Sequence, residues 1–176
     1  MSDPFETLGV SPSFDLDPAS LEARHRELCR ALHPDRYVGR PAGERRAALS
    51  RAVDVNAAYR VLRDPARRAE ALLLLNGHHA EAFESSRAAP ALLMEVMERR
   101  EALAAARKLG DRDKLQALSR EVNEKKESVV AGLRSAFGQN PPDLAAAERL
   151  LGELRYHQRF LDEAFAAEDE LDGEGH

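Results

Sequence analysis

The sequence predicts an all-α protein of two helical units. The first is an antiparallel helix hairpin with short flanking helices, and the second is a three-helix bundle. Three observations predict it. Ala, Leu, Arg and Glu dominate the composition, while aromatics are only 5% and Trp is absent, a mixture that favours helices. The β-branched and aromatic runs that a sheet needs are missing. Apolar residues recur at three- and four-residue spacing between Asp, Pro and Gly punctuation, the pattern of capped amphipathic helices. A length of 176 residues suits one compact domain or two small ones.

The elements follow in order. "DPFETLG" reads as a short helix: Asp3 caps it, Pro4 fits the first turn and Gly9 ends it. "VSPSFDLDP" is a loop. Asp17 and Pro18 then start a second helix through about Leu32, with Leu21, Leu28 and Leu32 on one face and Arg24, Arg26 and Arg30 mostly off it. Residues 33–43 hold two prolines and two glycines and form a loop. The third helix spans about Glu44 to Arg63, with the stripe Ala48, Ala52, Val55, Tyr59 and Leu62. A loop this short makes the second and third helices antiparallel. "DPARRAEALLLLNG" is a further short helix, capped by Asp64 and closed by Gly77. "HHAEAFESSRAAP" has the weakest periodicity and reads as a connector. Three helices follow, at about 89–109, 112–137 and 142–168. The last carries Leu144, Ala147, Leu151, Leu154, Leu161 and Phe165, close to a heptad pattern with Gln158 at the missing step. Short turns make these three an up-down-up bundle, and the acidic end "EDELDGEGH" reads as frayed and solvated.

Charge and motif content narrow the function. The formal net charge of −5 argues against general nucleic-acid binding. Leu21 to Arg46 nevertheless carries seven arginines against four acids, a net +3 that favours an acidic partner and salt-sensitive association. A lone Cys29 excludes an internal disulfide and a cysteine-based metal site. No stretch resembles a signal peptide or reaches membrane-spanning length, so a cytoplasmic protein is expected. Six histidines, at 25, 33, 78, 79, 157 and 176, accompany no nucleophile motif and no Gly-rich phosphate loop. The adjacent pair His78-His79 has diverging side chains and no accompanying carboxylate pattern. No enzyme, metal or cofactor is expected.

The most informative stretch is "ALHPDRY" at 31–37. Pro34 cannot continue a helix, and it pushes His33 out of the α region. An imidazole and a carboxylate are thereby displayed on a rigid loop at the end of a basic helix. Such a display suits recognition, although an arbitrary His-Pro-Asp triplet is ordinarily only a helix stop. Here it separates two antiparallel amphipathic helices, and the second ends in "NAAYRVLRDPARRA". The chain resembles the J-domain family at this point: Asn56, Ala58, Tyr59, Leu62, Asp64, Pro65 and Arg68 match its N-x-A-Y-x-x-L-x-D-P-x-x-R order, and "DPFETLGV" matches its opening. The resemblance implies docking on the ATPase domain of a DnaK-type chaperone. It makes His33, Pro34 and Asp35 the trigger, and Arg24, Arg26, Arg30 and Arg36 the docking charges. From the residues alone, Tyr59 packs the core, and Asn56 is placed to bond the loop.

The second half lacks the Gly/Phe-rich linker and cysteine zinc module of DnaJ. "RAEALLLLNG" and "LLMEVMERREAL" are instead similar to segments of the HscB subfamily, co-chaperones of iron–sulfur cluster assembly, and "ELRYHQRFLDE" more loosely resembles its last helix. Ala71 stands where that subfamily has an aromatic residue. The resemblance implies a J-domain over 1–76, a connector over 77–88 and a client-binding bundle over 89–176, with the acidic tail from about 168. It implies two partners: an HscA- or DnaK-type chaperone, and the scaffold protein IscU. The IscU contact falls on Leu93, Met94, Met97, Glu98 and Glu101, helped by Tyr156. Helical geometry puts Leu93, Met94, Met97 and Glu101 on one flank, and Met adapts well to partners. A Leu/Met stripe is more often core, but Leu92, Val96 and Leu103 can supply the core face instead. The main alternative is a J-domain protein whose bundle serves another client.

Overall fold

A computed structural model describes residues 3–78 and 90–173. The chain folds as two compact units, Met1–His78 and His79–His176. The described residues contain seven α-helices and no strand: α1 Pro4–Leu8, α2 Pro18–Ala31, α3 Ala42–Arg63, α4 Pro65–Leu75, α5 Pro90–Leu109, α6 Arg112–Gly138 and α7 Leu144–Gly173.

Local chemistry sets the helix ends. The Asp3, Asp17, Asp64 and Asp111 side chains accept amide hydrogens from the first turns of α1, α2, α4 and α6. Proline opens α1, α2 and α4, where its missing N–H costs nothing. Gly9, at φ 65°, turns the chain out of α1. Its amide bonds Glu6 O and the Val10 amide bonds Phe5 O, satisfying carbonyls the helix end leaves open.

In the first unit, Phe5 and Leu8 of α1 pack with Phe14, Leu21, Val55, Ala58 and Leu62, and α4 adds Ala69, Leu72 and Leu73. The antiparallel pairing of α2 and α3 leaves the connection 32–41 at one end of the hairpin. The expected stripe of α2 is only half realised. Leu21 is buried, but Leu28 and Leu32, at the end of the hairpin that carries that connection, are half-buried. Ala52 and Tyr59 of α3 are likewise half-buried. The Tyr59 ring stacks on His25 at 4.1 Å between centroids. Asn56 bonds Ala52 O and His25 Nε2, at 2.9 Å each, so it ties α3 to α2 and not to the loop.

In the second unit, ion pairs give the register. Arg100 pairs with Glu163 and Arg107 with Glu170, each at 2.5 Å, so α5 and α7 run parallel. Arg99 reaches Glu121 at 3.0 Å and Lys125 pairs with Glu95, so α5 and α6 run antiparallel. The core between the three contains Leu103, Ala106, Leu115, Leu118, Val122, Phe160, Ala164 and Ala167. Two expectations are corrected here. Beyond Leu154 the buried face of α7 passes through His157, Phe160, Ala164 and Ala167, leaving Gln158 half-buried and Phe165 70% exposed. The cause is α5, which packs beside this half of α7 and draws the core toward itself. The tail is not frayed from 168. Helix α7 continues to Gly173, with Leu171 packed against the core and its carbonyl accepting from Arg112.

Candidate functional site

Two surfaces carry the candidate residues. The first is the end of α2. Pro34 does more than stop that helix, because its fixed φ starts a 3-10 turn over Pro34–Tyr37. His33 caps this turn at φ −60° and ψ 133°, its carbonyl accepting from the Arg36 amide. The imidazole Nδ1 lies 3.4 Å from the Asp35 amide and 3.5 Å from Asp35 Oδ2. Both side chains face solvent, His33 at 59% and Asp35 at 86% exposure. The turn fixes the backbone while leaving both polar ends outward.

The arginines divide by role. Arg26, Arg30 and Arg36 are exposed, with Arg26 in a surface pair with Glu22. Arg24 differs: its Nε donates to Leu8 O at 2.9 Å, and its Nη1 pairs with Glu27 at 2.8 Å. Its guanidinium also lies 3.0 Å from where a Cβ on Gly9 would sit. Arg24 therefore joins α2 to the end of α1, a structural duty the charge count did not reveal.

The second surface is the outer face of α5. Leu93, Met94, Met97, Glu98 and Glu101 are all exposed, the two methionines at 64% and 63%. At about 100° per residue these five span an arc of about 140°. Val96, Arg99, Leu103 and Ala106 lie on the opposite side and are buried. Tyr156 of α7 is half-buried, with the Arg159 guanidinium 5.1 Å over its ring.

Beneath this face sits a charged layer that sequence reasoning missed. Arg99, 8% exposed, holds Glu95 of its own helix and Glu121 of α6, and Lys125 also reaches Glu95. These contacts keep the Glu95 carboxyl below its usual range, Lys125 being the largest cause and burial opposing it. His157 approaches from α7, 2% exposed, with Nε2 3.6 Å from Glu153. Burial pushes its imidazole pKa down, against the pull of Glu153 and with a further push from Arg99. The signal was present as a Glu–Arg pair four residues apart, but the pattern could not say that it faces inward. Among the described residues, no group of three or more His, Cys, Asp or Glu could hold a metal, and no helix is long and apolar enough to cross a membrane. His79 lies outside the described residues.

Two family profiles match the chain. A family profile described as "DnaJ domain" matches residues 3–71, and one described as "HSCB C-terminal oligomerisation domain" matches residues 88–164. The chain is 36% identical over 162 residues to a co-chaperone protein HscB homolog of Neisseria meningitidis, covering 92% of this chain and 94% of that one. The HscB homolog of an Azoarcus species is also 36% identical, over 167 residues and 94% of each chain. Among solved structures, chaperone HscB from Vibrio cholerae matches with a TM-score of 0.83 and 30% identity, over 97% of this chain and 99% of that one. Human co-chaperone HscB matches with a TM-score of 0.85 and 27% identity, over 94% and 82%. The exposed His-Pro-Asp turn, the three-helix bundle and both family matches lead to one conclusion: the chain belongs to the HscB family, J-domain co-chaperones of the Hsp70-type chaperone of iron–sulfur cluster assembly.

Proposed function

We propose that this protein stimulates the ATPase of an HscA- or DnaK-type chaperone and delivers an IscU-like iron–sulfur scaffold to it. The observation that carries the reading is the solvent-facing His33-Pro34-Asp35 turn at the end of a helix that exposes Arg26 and Arg30. Long-range attraction brings the basic helix onto an acidic surface of the chaperone. The turn then contributes a directional imidazole and carboxylate on a backbone that is already ordered, so contact there is selective for one arrangement of the chaperone's domains. A partner that binds one arrangement better shifts the chaperone toward it. Arg36, on the same turn, adds charge beside the trigger.

The bundle supplies the cargo end. Leu93, Met94 and Met97 offer an apolar patch, Glu98 and Glu101 flank it, and Tyr156 adds an aromatic edge. Apolar centre with polar rim is the usual composition of a selective protein contact. Holding scaffold and chaperone on one chain raises the effective concentration of each for the other. The chemistry of ATP hydrolysis belongs to the chaperone in this scheme.

The test is chaperone ATPase measured with this protein, with the scaffold, and with both. The expected result is stimulation by this protein, further increase when scaffold is added, and loss of both in His33→Gln. Stimulation unchanged in His33→Gln would overturn the chaperone half of the proposal. Stimulation without any scaffold effect would assign the bundle to a different client.

A further inference from the structure

The hairpin unit has another surface, away from the His-Pro-Asp turn. Helices α1, α3 and α4 enclose an open groove of about 490 Å³. Ala58 and Ala71 form its buried floor, Val61 is half-buried, and Ala57, Leu74 and Leu75 are its exposed edges. Leu74 and Leu75 are 42% and 47% exposed, while their neighbours Leu72 and Leu73 enter the core. An apolar groove between helices with charged edges has the form that the apolar face of an amphipathic helix fills. Small alanine methyls on the floor leave a depression into which a bulky side chain can drop, as between packed helices. Among the described residues the rim carries Asp3, Asp54 and Glu70 together with Arg67. No residue of α2 and none of 33–35 lines the groove among the described residues.

We propose that this groove docks an amphipathic helix of a protein partner. That helix presents Leu, Met or Phe at i, i+3 or i+4, and i+7, with Lys or Arg on its flanks. Charge selects this occupant. The chain's own residues 79–89 carry Glu81 and Glu84 against Arg87, and its last nine residues are strongly acidic. Neither complements a carboxylate rim. The basic α2 of a second copy exposes Arg26 and Arg30, but Leu28 and Leu32 there are half-buried, so it brings charge without a bulky apolar knob. Helix α3 of a second copy exposes Leu49 and Val53 beside Arg45 and Arg46, and self-association of the full chain that Leu49→Ser abolishes would overturn the proposal in favour of that occupant. A cationic amphipathic helix supplies both, in the manner of helix-in-groove recognition.

The test titrates the isotope-labelled full chain with a synthetic Lys/Leu peptide of about four helical turns, and with its Glu/Leu counterpart. The cationic peptide is expected to shift the amides of Asp54, Ala57, Val61, Leu74 and Leu75, leaving 24–36 in place, and the acidic one to shift none. Asp54→Lys with Glu70→Lys reverses two rim charges and is expected to weaken binding about tenfold. Ala57→Trp fills the mouth of the groove and is expected to weaken it without changing charge. Equal binding of the two peptides, shifts confined to the bundle, or indifference to all these substitutions would overturn the proposal. So would a gain in peptide affinity in Phe83→Ser, which would place the chain's own connector in the groove.

Discussion

Replacing Met94 and Met97 together by Ala separates a client-binding face from an ordinary helix surface. Fully burying a methionine stabilises by about 1.5–3 kcal/mol. The two side chains are 64% and 63% exposed, so a partner that covers them gains about 1–2 kcal/mol from each. Immobilising each flexible thioether costs about 0.5–1.5 kcal/mol. The net is about 0.5 kcal/mol per residue and about 1 kcal/mol for the pair, which is about fivefold in Kd. Folding barely changes, because exposed substitutions away from caps and networks fall within about 0.5 kcal/mol each. The control is Leu103→Ala on the inner face of the same helix, where Leu103 is 6% exposed. That change leaves a cavity and costs about 2–5 kcal/mol of stability, while affinity per folded molecule stays close to wild type. Titration calorimetry with the IscU-like scaffold, paired with denaturant unfolding, reads both quantities. Unchanged affinity in the methionine double variant would refute the patch. A large loss of its stability would refute the exposed placement from which the magnitude is worked.

Three further outcomes are expected. Arg24→Ala loses the bond to Leu8 O and costs about 1 kcal/mol in urea unfolding, discounted because Arg24 is 39% exposed, whereas Arg30→Ala costs less than about 0.5 kcal/mol; both reduce chaperone stimulation, and equal stability losses would contradict the division of roles. His157 has a folded pKa below its unfolded value of about 6.5, so the unfolded chain binds the extra proton: its stabilising contribution is intact above about pH 6.5 and is lost as pH falls below that, so unfolding free energies from pH 8 to 5 should fall less steeply in His157→Leu, and parallel curves would exclude the linkage. Leu154→Ala, at a fully buried position of α7, is expected to lower stability by about 2–5 kcal/mol; thermal unfolding within a degree of wild type would contradict the burial of Leu154.

Much of this protein is set by short-range rules that a sequence exposes directly. Asp-Pro pairs at 3–4, 17–18 and 64–65 start helices because the carboxylate accepts amide hydrogens and proline lacks one to lose. Pro34 forces His33 and Asp35 into the open for the same local reason, and the three- and four-residue spacing of α3 marks its core face through Val55 and Leu62. What a face touches is different, because periodicity fixes a direction on one helix and not the position of its neighbours. A heptad carried through α7 selects Gln158 and Phe165; the approach of α5 moves the core to His157, Phe160 and Ala164 instead. Arg24 and Asn56 read as a docking charge and a loop anchor, yet Leu8 O and His25 lie within reach only once α1, α2 and α3 are assembled. Arg99 could not be told from a surface arginine until α6 brought Glu121 and Lys125 against α5. Composition and spacing decide which segments coil and which corner is displayed, since those depend on neighbours along the chain. Burial and pairing of the polar groups depend on neighbours across space, and only the packed structure supplies those.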